Sequence, residues 1–219
     1  MLSRRNVRIK VMQTVYAHEH DKDKTLERLE KSMLENINSF YRSFLFNLYV
    51  LAKTANYVLM DVQIRAGKYI PSEEDKVLSA QLFYNPVIQH LLEREGLYKE
   101  VMREKLDKRI DEDNFRQYFQ ALKKTPEYIA YSQKENPLLP EDKEIITFLY
   151  KKILFPDESF HQQVEDVFPG WLDDKDAIYH SVVSTIEAIT PAQSSFVIIR
   201  SRDTKEVKEF AVTLLRETI

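Results

Sequence analysis

The chain has 219 residues, 43% of them hydrophobic and 31% charged, with a formal net charge of -3, which is enough sequence to bury a sizeable core. Three glycines and no cysteine exclude a disulfide framework, a thiolate metal site and a glycine-rich phosphate loop, and they speak against a β-rich fold, whose turns need glycine. The longest uncharged apolar stretch, Ser43 to Ala52, falls short of the roughly 20 residues a membrane span requires, and no signal-peptide pattern is visible, so the expectation is an all-α multi-helix bundle with one long central helix, located in the cytoplasm.

The first predicted element is a helix. From Ser3 to His18 the chain carries Arg4, Arg5, Arg8 and Lys10 and not one acidic residue, so a basic tip sits on a body more acidic than the whole. Such an asymmetry points to a phosphate-rich partner met by one end of the molecule. At 100° per residue Val7, Val11 and Val15, with Met12 and Tyr16 beside them, form one apolar stripe for docking on a core, and Ser3 is placed to act as N-cap. Arg8 falls near the middle of that stripe, one turn after Arg4, where a packing helix normally carries Leu or Ala. A guanidinium there is either held by a carboxylate from elsewhere in the fold or left at the edge of the core with its fork aimed at an anion.

After a polar turn at Asp21 to Lys24, apolar positions from Leu26 to Val62 step by threes and fours and predict one very long helix over 25–66, ended by Gly67 in the left-handed conformation. Between Phe44 and Ala52 this helix is apolar nearly all round, which places it at the middle of a bundle with neighbours on several sides. Ser72-Glu73-Glu74-Asp75 reads as a capping-box start to a helix reaching about Tyr84, and Asn85-Pro86 as the cap and first residue of the next, which stops at Gly96. Leu97 to Asp107 is charged and reads as a continuation or a separate short helix, and its mixed signs from Lys99-Glu100 through Arg103-Glu104-Lys105 read as a solvated face. Amphipathic helices follow after Asp111-Glu112-Asp113, from Thr125-Pro126, over Glu141 to Leu154, from Pro156-Asp157, and from an Asp173 cap to about Ile189. Phe196 to Ile199 has strand-like content without a partner strand and reads as an apolar connector. From Asp203 a last helix puts Val207, Phe210, Ala211, Leu214 and Leu215 on one face and runs to Ile219 without a stop signal.

The opening run Arg4-Arg5-Asn6-Val7-Arg8-Ile9-Lys10-Val11-Met12-Gln13-Thr14-Val15-Tyr16 resembles the first helix of the NusB family of transcription antitermination factors, whose pattern is roughly Arg-Arg-x-Ala-Arg-x-x-Ala-x-Gln-x-Leu-Tyr. Arg4, Arg5, Arg8, Gln13 and Tyr16 stand at matching spacings, with Val7, Val11 and Val15 at the small or apolar positions. The stretch from Asp203, with Phe210, Ala211 and Leu214, is similar to a family segment that normally follows soon after the first helices. What the resemblance implies is an all-helical RNA-binding protein that recognises boxA-type single-stranded RNA together with a NusE-like ribosomal protein. It carries over Arg4, Arg5 and Arg8 as RNA-binding residues and makes Tyr16 a packing residue; Lys10 joins the arginines on charge alone. On this reading residues 1–20 are the RNA-facing first helix, 21–200 a helical insertion domain, and 201–219 a NusB-like helix of a truncated C-terminal domain, as in the front part of a longer protein.

Catalytic chemistry finds no constellation in the sequence. His18, Glu19, His20 and Asp21 alternate around a helix end and face different ways, which does not suit a metal, and His161 with Glu165 reads as a surface hydrogen bond. The paired carboxylates Asp173-Asp174 sit at a helix start, where the macrodipole accounts for them. Nothing assembles into nucleophile, base and orienting group, so no enzyme activity, cofactor or metal is expected. Most aromatic residues fall on inward stripes and read as core. The rival reading is a helical protein–protein interaction scaffold without RNA binding, whose basic helix pairs with its own carboxylates. Arg8 separates the two: a buried salt bridge favours the scaffold, an open basic surface favours RNA.

Overall fold

The apolar run in the long helix dictates the architecture. The computed structural model describes residues 4–20, 22, 24–70, 79–190 and 205–219, and every regular element among them is helical. Helix α1 spans Arg4–His20, α2 Leu26–Asn56, α3 Val58–Ala66, α4 Gln81–Tyr84, α5 Pro86–Leu92, α6 Lys99–Arg103, α7 Glu112–Lys123, α8 Pro126–Ser132, α9 Leu139–Phe148, α10 Glu158–Val167, α11 Trp171–Ala188 and α12 Lys205–Thr218. A turn at Tyr57 joins α2 and α3 into one bent helix of 41 residues. No helix among the described residues is long and apolar enough to cross a membrane.

Ser43 through Ala52 are buried without interruption, almost three helical turns, so this part of α2 has neighbours on all sides. Helices α5, α7 and α11 pack along α2, and α1 and α12 pack on it and on each other. One hydrophobic cluster takes in Val7 and Val11 of α1, the whole middle of α2, Val182 and Ile186 of α11, and Ala211 and Leu215 of α12. Chain segments far apart in sequence therefore share a single core, and each large apolar side chain fully removed from water there contributes about 1.5–3 kcal/mol.

A hydrogen-bonded carboxamide sits inside that core. Asn47 donates its Nδ2 to the Ser43 carbonyl at 2.8 Å and accepts at Oδ1 from the Tyr150 hydroxyl at 2.9 Å. Both residues are wholly buried. Tyr150 lies in a widened helical turn over Leu149–Leu154, closed by the Phe155 N–H on the Tyr150 carbonyl at 2.8 Å. Burial pushes its phenol well above the ordinary range, which favours the protonated form that donates to Asn47.

Local start signals act as the sequence suggests. Asn85 accepts from the Val87 N–H at 2.9 Å, Thr125 from Tyr128 at 3.3 Å and Asp157 from Phe160 at 2.9 Å, each covering an amide the first turn leaves unpaired. Other expectations are corrected. Gly67 keeps a right-handed φ of -85°, and among the described residues only Lys105 has a positive φ. In the charged run from Lys99 to Lys105, Lys99, Arg103 and Lys105 are exposed as expected of a solvated face, but Glu100 is buried and pairs with Arg103 at 2.6 Å, and Leu97, Val101 and Leu106 around it are core. Helix α11 begins at Trp171 after Gly170, so Asp173 lies inside its first turn instead of capping it. The expectations at Ser3, at the start of the Asp21 turn, at Ser72 to Asp75, at Phe196 to Ile199 and at Asp203 fall outside the described residues.

Replacing Tyr150 by Phe removes the donor that the buried Asn47 carboxamide oxygen has among the described residues, and an unsatisfied group of this kind costs about 1–3 kcal/mol. The expected result is a lower urea midpoint with an unchanged m-value, measured by equilibrium unfolding.

Candidate functional site

The site is the face that α1 turns outward, and its position follows from what α1 turns inward. Val7 and Val11 are buried as the periodicity predicts, but the other two buried residues of the helix are Lys10 and Thr14. Met12 and Tyr16, expected beside the valines, are 61% and 66% exposed. The helix is thus rolled toward its polar flank relative to the expected stripe. The cause is a partner on another helix: the Lys10 ammonium meets both oxygens of Asp174 in the first turn of α11, at 2.6 and 2.8 Å. Next to it, the Thr14 hydroxyl donates to the Lys10 carbonyl at 2.9 Å, and Gln13 reaches Asp173 at 3.4 Å. The two carboxylates read from sequence as helix-start charges are the grip of α11 on α1.

Lys10 is accordingly withdrawn from the basic surface. Only 6% of it is exposed, and its charge is spent on an internal counterion, so charge alone placed it wrongly among the nucleic-acid candidates. Burial pushes the Asp174 carboxyl above its usual range, against the downward pull of Lys10, because desolvation of a carboxylate outweighs one ion pair here.

With that roll, Arg5, Arg8, Ile9, Met12 and Tyr16 come to the outside together. Their spacing of three and four residues aligns them along one side of the helix. Arg5 and Arg8 make no ion pair among the described residues. Arg4 is exposed too, and its guanidinium lies 5.8 Å from the centroid of the Phe210 ring on α12, a cation–π contact that orients it beside the other two. Tyr16 is not the packing residue the family resemblance implies: its ring stands in solvent against that of His20, with centroids 4.2 Å apart. Periodicity alone puts Met12 and Tyr16 on the core side and gives no reason to single out Ile9, so it does not reveal that the three are exposed together.

Elsewhere the structure uses its polar groups to fasten helices. The Tyr131 hydroxyl donates to Asp142 at 2.6 Å, and Asn85 donates both to that hydroxyl and to the Asp142 carbonyl at 3.0 Å, joining α5, α8 and α9. Burial raises the Asp142 carboxyl despite the Tyr131 hydrogen bond. His161 accepts the Trp171 indole N–H at 3.0 Å, so it serves the α10–α11 contact and not Glu165. Among the described residues no group of three His, Asp or Glu side chains is placed to hold a metal ion.

No family model, curated protein or solved structure matches this chain. The case for a site therefore stands on the α1 surface itself.

Removing Asp174 strands the buried Lys10 ammonium, and breaking one side of a buried pair costs about 3–5 kcal/mol. We expect Asp174→Ala to unfold at markedly lower urea concentration than the double variant Lys10→Met/Asp174→Leu, in which no uncompensated charge remains.

Proposed function

We propose that the chain is an RNA-binding transcription antitermination factor of the NusB type, with α1 presenting Arg4, Arg5 and Arg8 to boxA-type single-stranded RNA and a NusE-like ribosomal protein as co-partner. The observation that carries this reading is the state of Arg5 and Arg8: on a net acidic chain both guanidinium groups stand in solvent without a carboxylate among the described residues. A scaffold that neutralised its basic helix internally would have paired them, as it paired Lys10. Free guanidinium forks aligned on one face suit phosphate oxygens, which accept two parallel hydrogen bonds, and the net acidic remainder of the chain confines binding to this end. The spacing that resembles the family's opening helix points the same way.

A second reading has an observation of its own. Ile9, Met12 and Tyr16 form an exposed apolar line beside the arginines, and a mixed apolar and arginine surface also suits a protein partner. In the scaffold reading that line is the docking face and no RNA is involved.

Charge reversal at Arg4, Arg5 and Arg8 separates the two. We expect it to abolish binding of boxA-type RNA in a fluorescence anisotropy titration while the far-ultraviolet circular dichroism stays unchanged. For the unsubstituted chain, three phosphate contacts on a single strand give a log–log salt slope of about -2. An affinity unaffected by the reversal would remove the RNA assignment.

A further inference from the structure

The outward face of α1 borders a recess that the three arginines do not use. Helices α1 and α2 form a hairpin, and between them Gln13 and Thr14 on one side and Arg28, Ser32 and Asn36 on the other line a cavity of about 210 Å3. Leu29 and Thr14 are buried at its walls, while Arg28, Ser32 and Asn36 are exposed along the rim. Arg28 makes no ion pair among the described residues, and among those residues no carboxylate lines the recess.

The side chains here are of a particular chemical kind. Asn36 offers a donor and an acceptor side by side, the pattern that matches the edge of a nucleobase, and Gln13, whose Nε2 reaches Asp173 at 3.4 Å, keeps its carboxamide oxygen as an acceptor. Ser32 adds a hydroxyl able to meet a ribose 2′-hydroxyl, the group that marks RNA. Thr14 already donates to the Lys10 carbonyl, so its oxygen remains an acceptor. Arg28 supplies the cation for a phosphate at the outer edge. Gln13 lies on the four-residue row Arg5, Ile9, Gln13, about 12 Å along the axis from Arg5, so a strand that crosses Arg5 and follows that row reaches the mouth of the recess.

We propose that this recess takes one unstacked base of the single-stranded RNA, with Gln13 and Asn36 on the base edge and Arg28 on its phosphate. The inference rests on the RNA reading of α1 and adds to it a specificity-determining pocket on α2, outside the basic opening run. A strand held only by arginines on a helix face would be bound with little regard to sequence; carboxamides in a bounded recess give one position at which the base identity matters.

The test uses the whole chain and oligonucleotides of about twelve nucleotides composed of uridine, adenosine or cytidine alone, within the usual span of single-strand sites, read by fluorescence anisotropy over a range of salt. Arg28→Ala, at an exposed position, is expected to weaken binding about three- to tenfold and to make the salt slope shallower by about 0.7, the loss of one phosphate contact. Asn36→Ala is expected to change the ranking of the three oligonucleotides while leaving that slope alone. If Arg8→Glu weakens binding but Arg28→Ala and Asn36→Ala change neither affinity, slope nor ranking, the recess is not part of the site and the RNA reading survives without it. If the unsubstituted chain binds neither these oligonucleotides nor the boxA-type RNA, or Arg8→Glu has no effect on either, the RNA reading and the pocket fall together.

Discussion

The structure depends on a helix that has no outside for three turns. Because Ser43 through Ala52 are buried on every side, α2 must be enclosed by other helices before its apolar surface is out of water, and elements from both ends of the chain are recruited to do so. Asn47 is tolerated within that stretch because Tyr150 and the Ser43 carbonyl satisfy it. A carboxamide in that position also selects a single arrangement, since only the helix carrying Tyr150 can bring it a donor from across the core.

That enclosure sets the orientation of α1. Helix α12 lies along one of its flanks and α11 meets the other, so α1 is held between the two and cannot roll freely. The Lys10–Asp174 pair fixes the roll angle. Its net contribution to stability is limited, since both charges are taken largely out of water and that cost offsets much of their attraction. Its structural effect is larger than its energy: with Lys10 directed inward, the arginines and the exposed apolar residues are directed outward. A buried ion pair acting on orientation in this way links the packing of a distant helix to the chemistry of the surface.

The outward face is unusual for its mixture. Isolated exposed apolar residues are ordinary on protein surfaces, but Ile9, Met12 and Tyr16 stand in one line that continues from Arg5 and Arg8, which make no ion pair among the described residues. Arginine stems and large apolar side chains together create a surface that is easily stripped of water and still attractive to anions. Arg4 is the exception within the set, since Phe210 of α12 holds it from beneath, so the last helix of the chain contributes to the surface without lying on it.

What the sequence by itself determined is whatever is settled within a few residues. Helix positions, the caps at Asn85, Thr125 and Asp157, and the central place of the helix around Phe44 to Ala52 follow from periodicity and from side chains bonding their own backbone, and these interactions are complete before any second helix arrives. Tertiary structure alone decided which flank of α1 is buried, that Lys10 belongs to Asp174, that Tyr16 stands in solvent, and that Leu97, Val101 and Leu106 are core within a stretch that reads as charged. A stripe of apolar residues leaves its roll angle open by tens of degrees, and the choice is made by partners 160 and more residues away, whose distance in the chain leaves no mark on the local pattern.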